Sequence, residues 1–126
     1  YVQYSYARIS SLFRTLNIDE NKVLEIDESN FKLNLHELNL FRKILDWPKV
    51  IETASVKLEP HRIPFYLYEL ATHFHSYWSK GNKDSKYKFI MDGKIKNPNT
   101  LLIIRLVALT IENGMKILGV SLPTKM

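Results

Sequence analysis

The sequence contains no cysteine. That excludes disulfides, and with them zinc sites built on thiolates. The absence fits a reducing compartment, and a cytoplasmic location is the expectation. Long apolar runs are missing too. The richest stretch, Leu101 to Leu118, is broken by Arg105, Glu112, Asn113 and Lys116, so no membrane-spanning segment is expected. The first residues, Tyr1 to Ser5, carry neither the basic region nor the apolar core of a targeting signal. No glycine-rich loop of the GxxxxGKS/T or GxGxxG kind is present to cradle a nucleotide. The histidines are His36, His61, His73 and His75. His73 and His75 would stand about 200° apart around a helix and could not easily share a metal, so solvated or capping roles are expected. No spacing singles out a nucleophile, so neither catalysis nor a cofactor or metal is expected of this chain.

What is present describes one folded domain spanning residues 1–126. A hydrophobic content of 45% argues against disorder. The net charge of +5 is unevenly placed. Between Lys80 and Lys96 six lysines (80, 83, 86, 88, 94 and 96) stand against Asp84 and Asp92, a local excess of +4. Such a basic segment on a balanced domain suits a polyanion partner, or is simply a solvated loop.

Periodicity predicts helices. Val2, Tyr6, Ile9, Phe13 and Leu16 form an apolar stripe over Tyr1 to Leu16. No capping residue precedes Tyr1, so the chain is expected to begin inside a helix or at its first turn. Asn17 to Asn34 reads as a long surface loop. Asn34 and Glu37 suit a capping box for a helix over Leu35 to Asp46, with Leu35, Leu38, Phe41, Ile44 and Leu45 buried. Pro48 to about Leu58 follows, with Val50, Ile51, Ala54 and Leu58 inward. Arg62 to Lys80 carries the stripe Ile63, Leu67, Leu70, Phe74 and Tyr77, with Gly81 as its stop. Lys86–Met91 and Lys94–Lys96 could pair across Asp92-Gly93. The last helix runs from near Pro98 to Leu118, with Ile104, Val107, Ile111, Met115 and Leu118 inward and Gly119 as cap. The expected fold class is all-α, a compact bundle of about five helices.

The first helix has a second face. Tyr1, Tyr4 and Arg8, at i, i+3 and i+7, fall within about 60° of one another, away from the apolar stripe. Tyrosine rings stack on unpaired bases, and a guanidinium stacks or forks onto phosphate. The alternative is that the rings pack against another helix with their hydroxyls wet. Near Lys80 and Lys83, Trp78 with Phe74 one turn before it could offer a second aromatic contact, or could pack the end of the helix.

Three stretches resemble one family. Tyr1-Val2-Gln3-Tyr4-Ser5-Tyr6-Ala7-Arg8-Ile9 is similar to the segment opening the anticodon-binding (DALR) domain of arginyl-tRNA synthetases. Trp47-Pro48-Lys49-Val50, then Glu59-Pro60-His61-Arg62, Tyr66-Leu67-Tyr68-Glu69-Leu70-Ala71 and Phe74-His75 follow that family's middle. Asn113-Gly114 through Val120 to Pro123-Thr124-Lys125-Met126 resembles its terminus. The order is kept along nearly the whole chain.

The resemblance implies the all-α anticodon-binding domain of class Ia aminoacyl-tRNA synthetases. The chain would then be a fragment of a longer synthetase whose catalytic motifs lie upstream. The partners implied are the anticodon arm of tRNA(Arg) and the catalytic domain of the same enzyme, which would use ATP with Mg to join arginine to tRNA. Carried over by position, Tyr1, Tyr4, Arg8, Trp78 with Phe74, and Met126 would meet RNA. Lys80 and Lys83 join them on charge. Tyr6 stands where the family often has histidine, and Thr124-Lys125 where Glu-Arg is common. The competing expectation is a helical protein-interaction module using the Tyr1, Tyr4 and Arg8 face.

Overall fold

The computed structural model describes residues 1–21, 32–84, 90–91, 94–95 and 98–124. Among these lie five helices: α1 (Val2–Leu16), α2 (Leu35–Leu45), α3 (Trp47–Val56), α4 (Arg62–Lys83) and α5 (Pro98–Leu118). A two-residue antiparallel pair, β1 (Ile90–Met91) with β2 (Lys94–Ile95), joins α4 to α5, in register Ile90↔Ile95 and Met91↔Lys94. The pairing crosses Asp92-Gly93 as the sequence predicts. Its flanking residues, including Lys86, Lys88 and Lys96, and most of the segment after α1 lie outside the described residues.

α1, α4 and α5 pack against one another, α2 lies against α4 and α5, and α3 covers α4. The predicted α4 stripe is buried throughout, and Ile104, Val107, Ile111 and Met115 of α5 meet it. Gly114 lets these two helices approach: a β-carbon there would stand 2.7 and 2.8 Å from the Leu67 methyls. Beside it, Asn113 Oδ1 accepts from Trp47 Nε1 at 3.1 Å, tying α3 to α5. The resembling Asn113-Gly114 pair therefore has a packing role.

Three helices end alike. The chain turns into the left-handed region at Asn17 (φ 54°), Leu58 (φ 54°) and Gly119 (φ 73°). In each case the next amide donates back to the carbonyl five residues earlier, and the left-handed residue's own amide donates to the carbonyl three before it. These are Schellman closures. Glycine adopts this conformation at no steric cost, asparagine at little. Leu58 gains no compensation from packing, being 86% exposed.

Several expectations are corrected. Leu58 is not part of the inner side of α3, because the Schellman turn points it outward. Gly81 does not stop α4. It stays helical and buried, and the Asp84 amide still reaches Lys80 O at 3.0 Å. Glycine permits a left-handed turn without imposing one. α2 is rotated by roughly a quarter turn from the predicted face: Glu37, Leu40 and Ile44 point inward, while Leu35 and Leu45 are exposed. The cause is Glu37, whose carboxylate is buried because donors meet it. Asn34 N donates to Oε1 at 3.0 Å, and Tyr77 Oη (2.9 Å) and Thr100 Oγ1 donate to Oε2. The capping box itself is present as predicted. Burial, with the Glu37 charge behind it, raises the Tyr77 pKa well above the ordinary tyrosine value. Leu118, expected inward, sits at the exposed end of α5.

The C-terminal tail lies along α1. Gln3 Nε2 donates to Ser121 O (3.1 Å) and Arg14 Nη2 to Thr124 O (3.0 Å). Gln3 and Arg14 share one stripe, eleven residues apart. The tail thus lies against α1 on a side different from that of Tyr4 and Arg8.

Candidate nucleic-acid interface

The outward side of α1 faces the middle of α4. Tyr1 is 55% and Tyr4 46% exposed. Arg8, one turn beyond Tyr4, is half-buried, and its guanidinium bridges two rings. Its Cζ lies 4.2 Å from the centre of the Trp78 ring and 5.8 Å from that of Tyr4. Cation–π contacts of this kind contribute ~0.5–2 kcal/mol each, more as water is excluded. The structure thus brings Tyr1, Tyr4, Arg8 and Trp78 together. The Tyr1 and Tyr4 rings pack against α4, as the alternative reading expected, while keeping about half of their surface open. Lys80 and Lys83 follow in the last turn of α4, both exposed, but Lys80 stands about 200° around the helix from Trp78 and lines a groove between α2 and α4 with His36 and Tyr77.

Phe74 is a correction. It is fully buried at 0% exposure, with its ring edge-on to Trp78 at 5.8 Å. On the core side of α4 it supports the indole from below and offers no face to a ligand. Met126 lies outside the described residues.

His75 and Tyr68 also belong to this surface. The His75 ring lies 4.8 Å from that of Tyr1 and is stacked on Tyr4 at 5.6 Å and 23°. Both ring nitrogens have partners, Ser5 Oγ at Nε2 (2.9 Å) and Arg8 Nη1 at Nδ1 (3.4 Å). The solvated or capping role expected for His75 is therefore wrong: it sits where α1 and α4 meet. Its pKa is lowered, first by burial and then by the Arg8 guanidinium. Tyr68, exposed, meets Tyr1 at 5.3 Å. Tyr68 and His75 are seven residues apart, which places them about 20° from alignment on α4. That signal was available in the sequence, and the apolar stripe masked it.

A groove of about 580 Å³ elsewhere lies between α2, α3 and α4. Its cations are already engaged: Lys43 pairs with Glu69, Lys49 with Glu52, and Arg62 with Glu59. Among the described residues no three metal-ligating side chains gather, and no helix is long and apolar enough to cross a membrane.

Comparison with known proteins shows the family. The family model described as the DALR anticodon binding domain matches residues 2–126. An arginine–tRNA ligase of Pelagibacter ubique is 46% identical over 126 residues, covering all of this chain and 22% of the relative. That of Ruegeria pomeroyi is 40% identical, over 96% of this chain and 22% of the relative. A crystal structure of a putative arginyl-tRNA synthetase from Campylobacter jejuni superposes with a TM-score of 0.82 at 27% identity, over the whole chain and 26% of that protein. The chain spans about a fifth of the length of the curated relatives it matches. It belongs to the DALR anticodon-binding domain family.

Proposed function

We propose that this chain binds the anticodon arm of arginine tRNA through the surface made by Tyr1, Tyr4, Arg8 and Trp78. The observation that carries the reading is the ladder of exposed and half-exposed π-faces along α1 and α4, with a guanidinium set into it. Unpaired loop bases stack on such faces, and single-stranded loops are the usual targets of sequence-specific RNA recognition. Lys80 and Lys83 add positive charge at the same end of α4, which favours the phosphate backbone. Met126 is assigned to the same site by position in the family.

In this reading the chain supplies tRNA recognition to a longer arginine–tRNA ligase. Joining arginine to tRNA with ATP and Mg then falls to a catalytic domain beyond these residues, which is the chain's second partner. The name of the relatives supports this assignment.

The test is a titration of the chain with anticodon stem-loops of arginine-specific and unrelated tRNAs. The arginine stem-loop should bind more tightly. Tyr4→Ala should weaken that binding by ~1–3 kcal/mol, the contribution of one stacked base, with unchanged circular dichroism. Equal affinity for all stem-loops, or a Tyr4→Ala variant that binds like the parent, would overturn the assignment.

A further inference from the structure

His75 touches every α1 residue of the proposed surface. Its ring packs on Tyr1 and Tyr4, and its two nitrogens reach Ser5 and Arg8. Donor chemistry fixes the tautomer. Arginine has only donors, so Nδ1 must accept from Arg8. The ring proton of a neutral histidine then sits on Nε2 and is donated to Ser5 Oγ. Ser5, buried, donates its hydroxyl hydrogen bond to Tyr1 O at 3.2 Å. The donations form one directed chain, Arg8 to His75 to Ser5 to the Tyr1 carbonyl, and it holds only while Nδ1 carries a lone pair.

We infer that His75 is a positioning residue whose neutral ring holds Arg8, Tyr1 and Tyr4 in the pose that meets unpaired bases, so that protonating it weakens RNA binding. The inference rests on the reading given under Proposed function. A proton on Nδ1 would turn an acceptor into a cation facing the guanidinium. Arg8 would then lose its hydrogen bond and be repelled, and its place over Trp78 would go with it. The groups facing the ring are the Arg8 guanidinium and the Tyr1 and Tyr4 rings of α1, together with Phe74 from α4. Burial and the Arg8 cation favour the neutral ring, in the sense the geometry requires. The sign follows: the pose is kept above the ordinary histidine value of 6.5 and is lost as pH falls below it through the lowered folded value. Simple charge attraction predicts the opposite, because an extra cation should tighten binding to a polyanion.

Two measurements on the chain test this. The first needs no RNA. Two-bond proton–nitrogen NMR correlations of the His75 ring should show the Nε2–H tautomer at pH 7. The Trp78 indole resonance should shift in step with His75 titration, and should cease to do so in His75→Gln. An Nδ1–H tautomer, or an indole insensitive to the titration, would overturn the inference whether or not RNA binds. The second is an arginine anticodon stem-loop titration from pH 7.5 to 5.0 at fixed ionic strength. Binding should weaken about tenfold. His75→Gln, which keeps a donor and an acceptor but loses the ring that packs on Tyr1 and Tyr4, should bind more weakly at pH 7.5 and show a flat profile, because it does not titrate. Binding that tightens on acidification, or a profile the same in both proteins, would overturn it. Failure of any stem-loop to bind would instead sink the functional reading while leaving the NMR result to stand.

Discussion

The Arg8 guanidinium lies over the Trp78 indole, with Cζ 4.2 Å from the ring centre, joining the N-terminal helix to the last turns of α4. The contact spans seventy residues of sequence and is set by where α1 packs on α4. It holds a long side chain in a plane, so less conformational entropy would be lost on the proposed contact of Arg8 with a base or phosphate.

Arg8→Lys separates that planar role from charge. A lysine keeps the positive charge and loses the fork and the stacking face. Affinity for the arginine anticodon stem-loop should fall by about 1 kcal/mol, with the melting temperature lowered by only a few degrees. A lysine variant that binds as well as the parent would mean that Arg8 acts as a point charge.

Leu58 carries backbone strain for which its side chain gains nothing. It closes α3 at φ 54° with 86% of its surface exposed. Leu58→Gly removes a left-handed penalty of roughly 1–2 kcal/mol and adds back unfolded-state entropy of ~0.4–1 kcal/mol. The net expectation is a gain in stability of about 0.5–1 kcal/mol by denaturant unfolding. Destabilisation would show that the leucine makes a contact in solution.

Gly114→Ala should act in the other direction. The new methyl would meet Leu67, itself 1% exposed, at 2.7 Å. Overpacking of this kind costs ~1–3 kcal/mol. A variant with parental stability would mean that α4 and α5 can part without penalty.

The sequence carried the helices well where one face was apolar and the opposite face polar. The α4 stripe from Ile63 to Tyr77 and the Asn34–Glu37 capping box are both present as read. It misled where a polar group was buried. Glu37 turns inward because Tyr77 and Thr100, distant in sequence, supply donors for its carboxylate, and so α2 rotates away from the face that its leucines suggest. Gly81 and Leu58 misled in a complementary way, since a left-handed turn is decided by closing hydrogen bonds as well as by residue type. For the interface, spacing on a single helix was enough to group Tyr1, Tyr4 and Arg8. The shared face of Tyr68 and His75 was legible on α4, but their contacts with Tyr1, Tyr4 and Arg8 depend on how α1 packs there. The burial of Phe74 was legible too, since it stands in the α4 apolar stripe.

The salt dependence of arginine anticodon stem-loop binding tests most directly whether this aromatic surface grips a single-stranded loop and its phosphates. If about four phosphates are neutralised, log K should fall against log salt with a slope near −3. Tyr4→Ala should lower the affinity at every salt concentration without changing that slope. A slope near zero would contradict the account and point to a surface built for an uncharged partner.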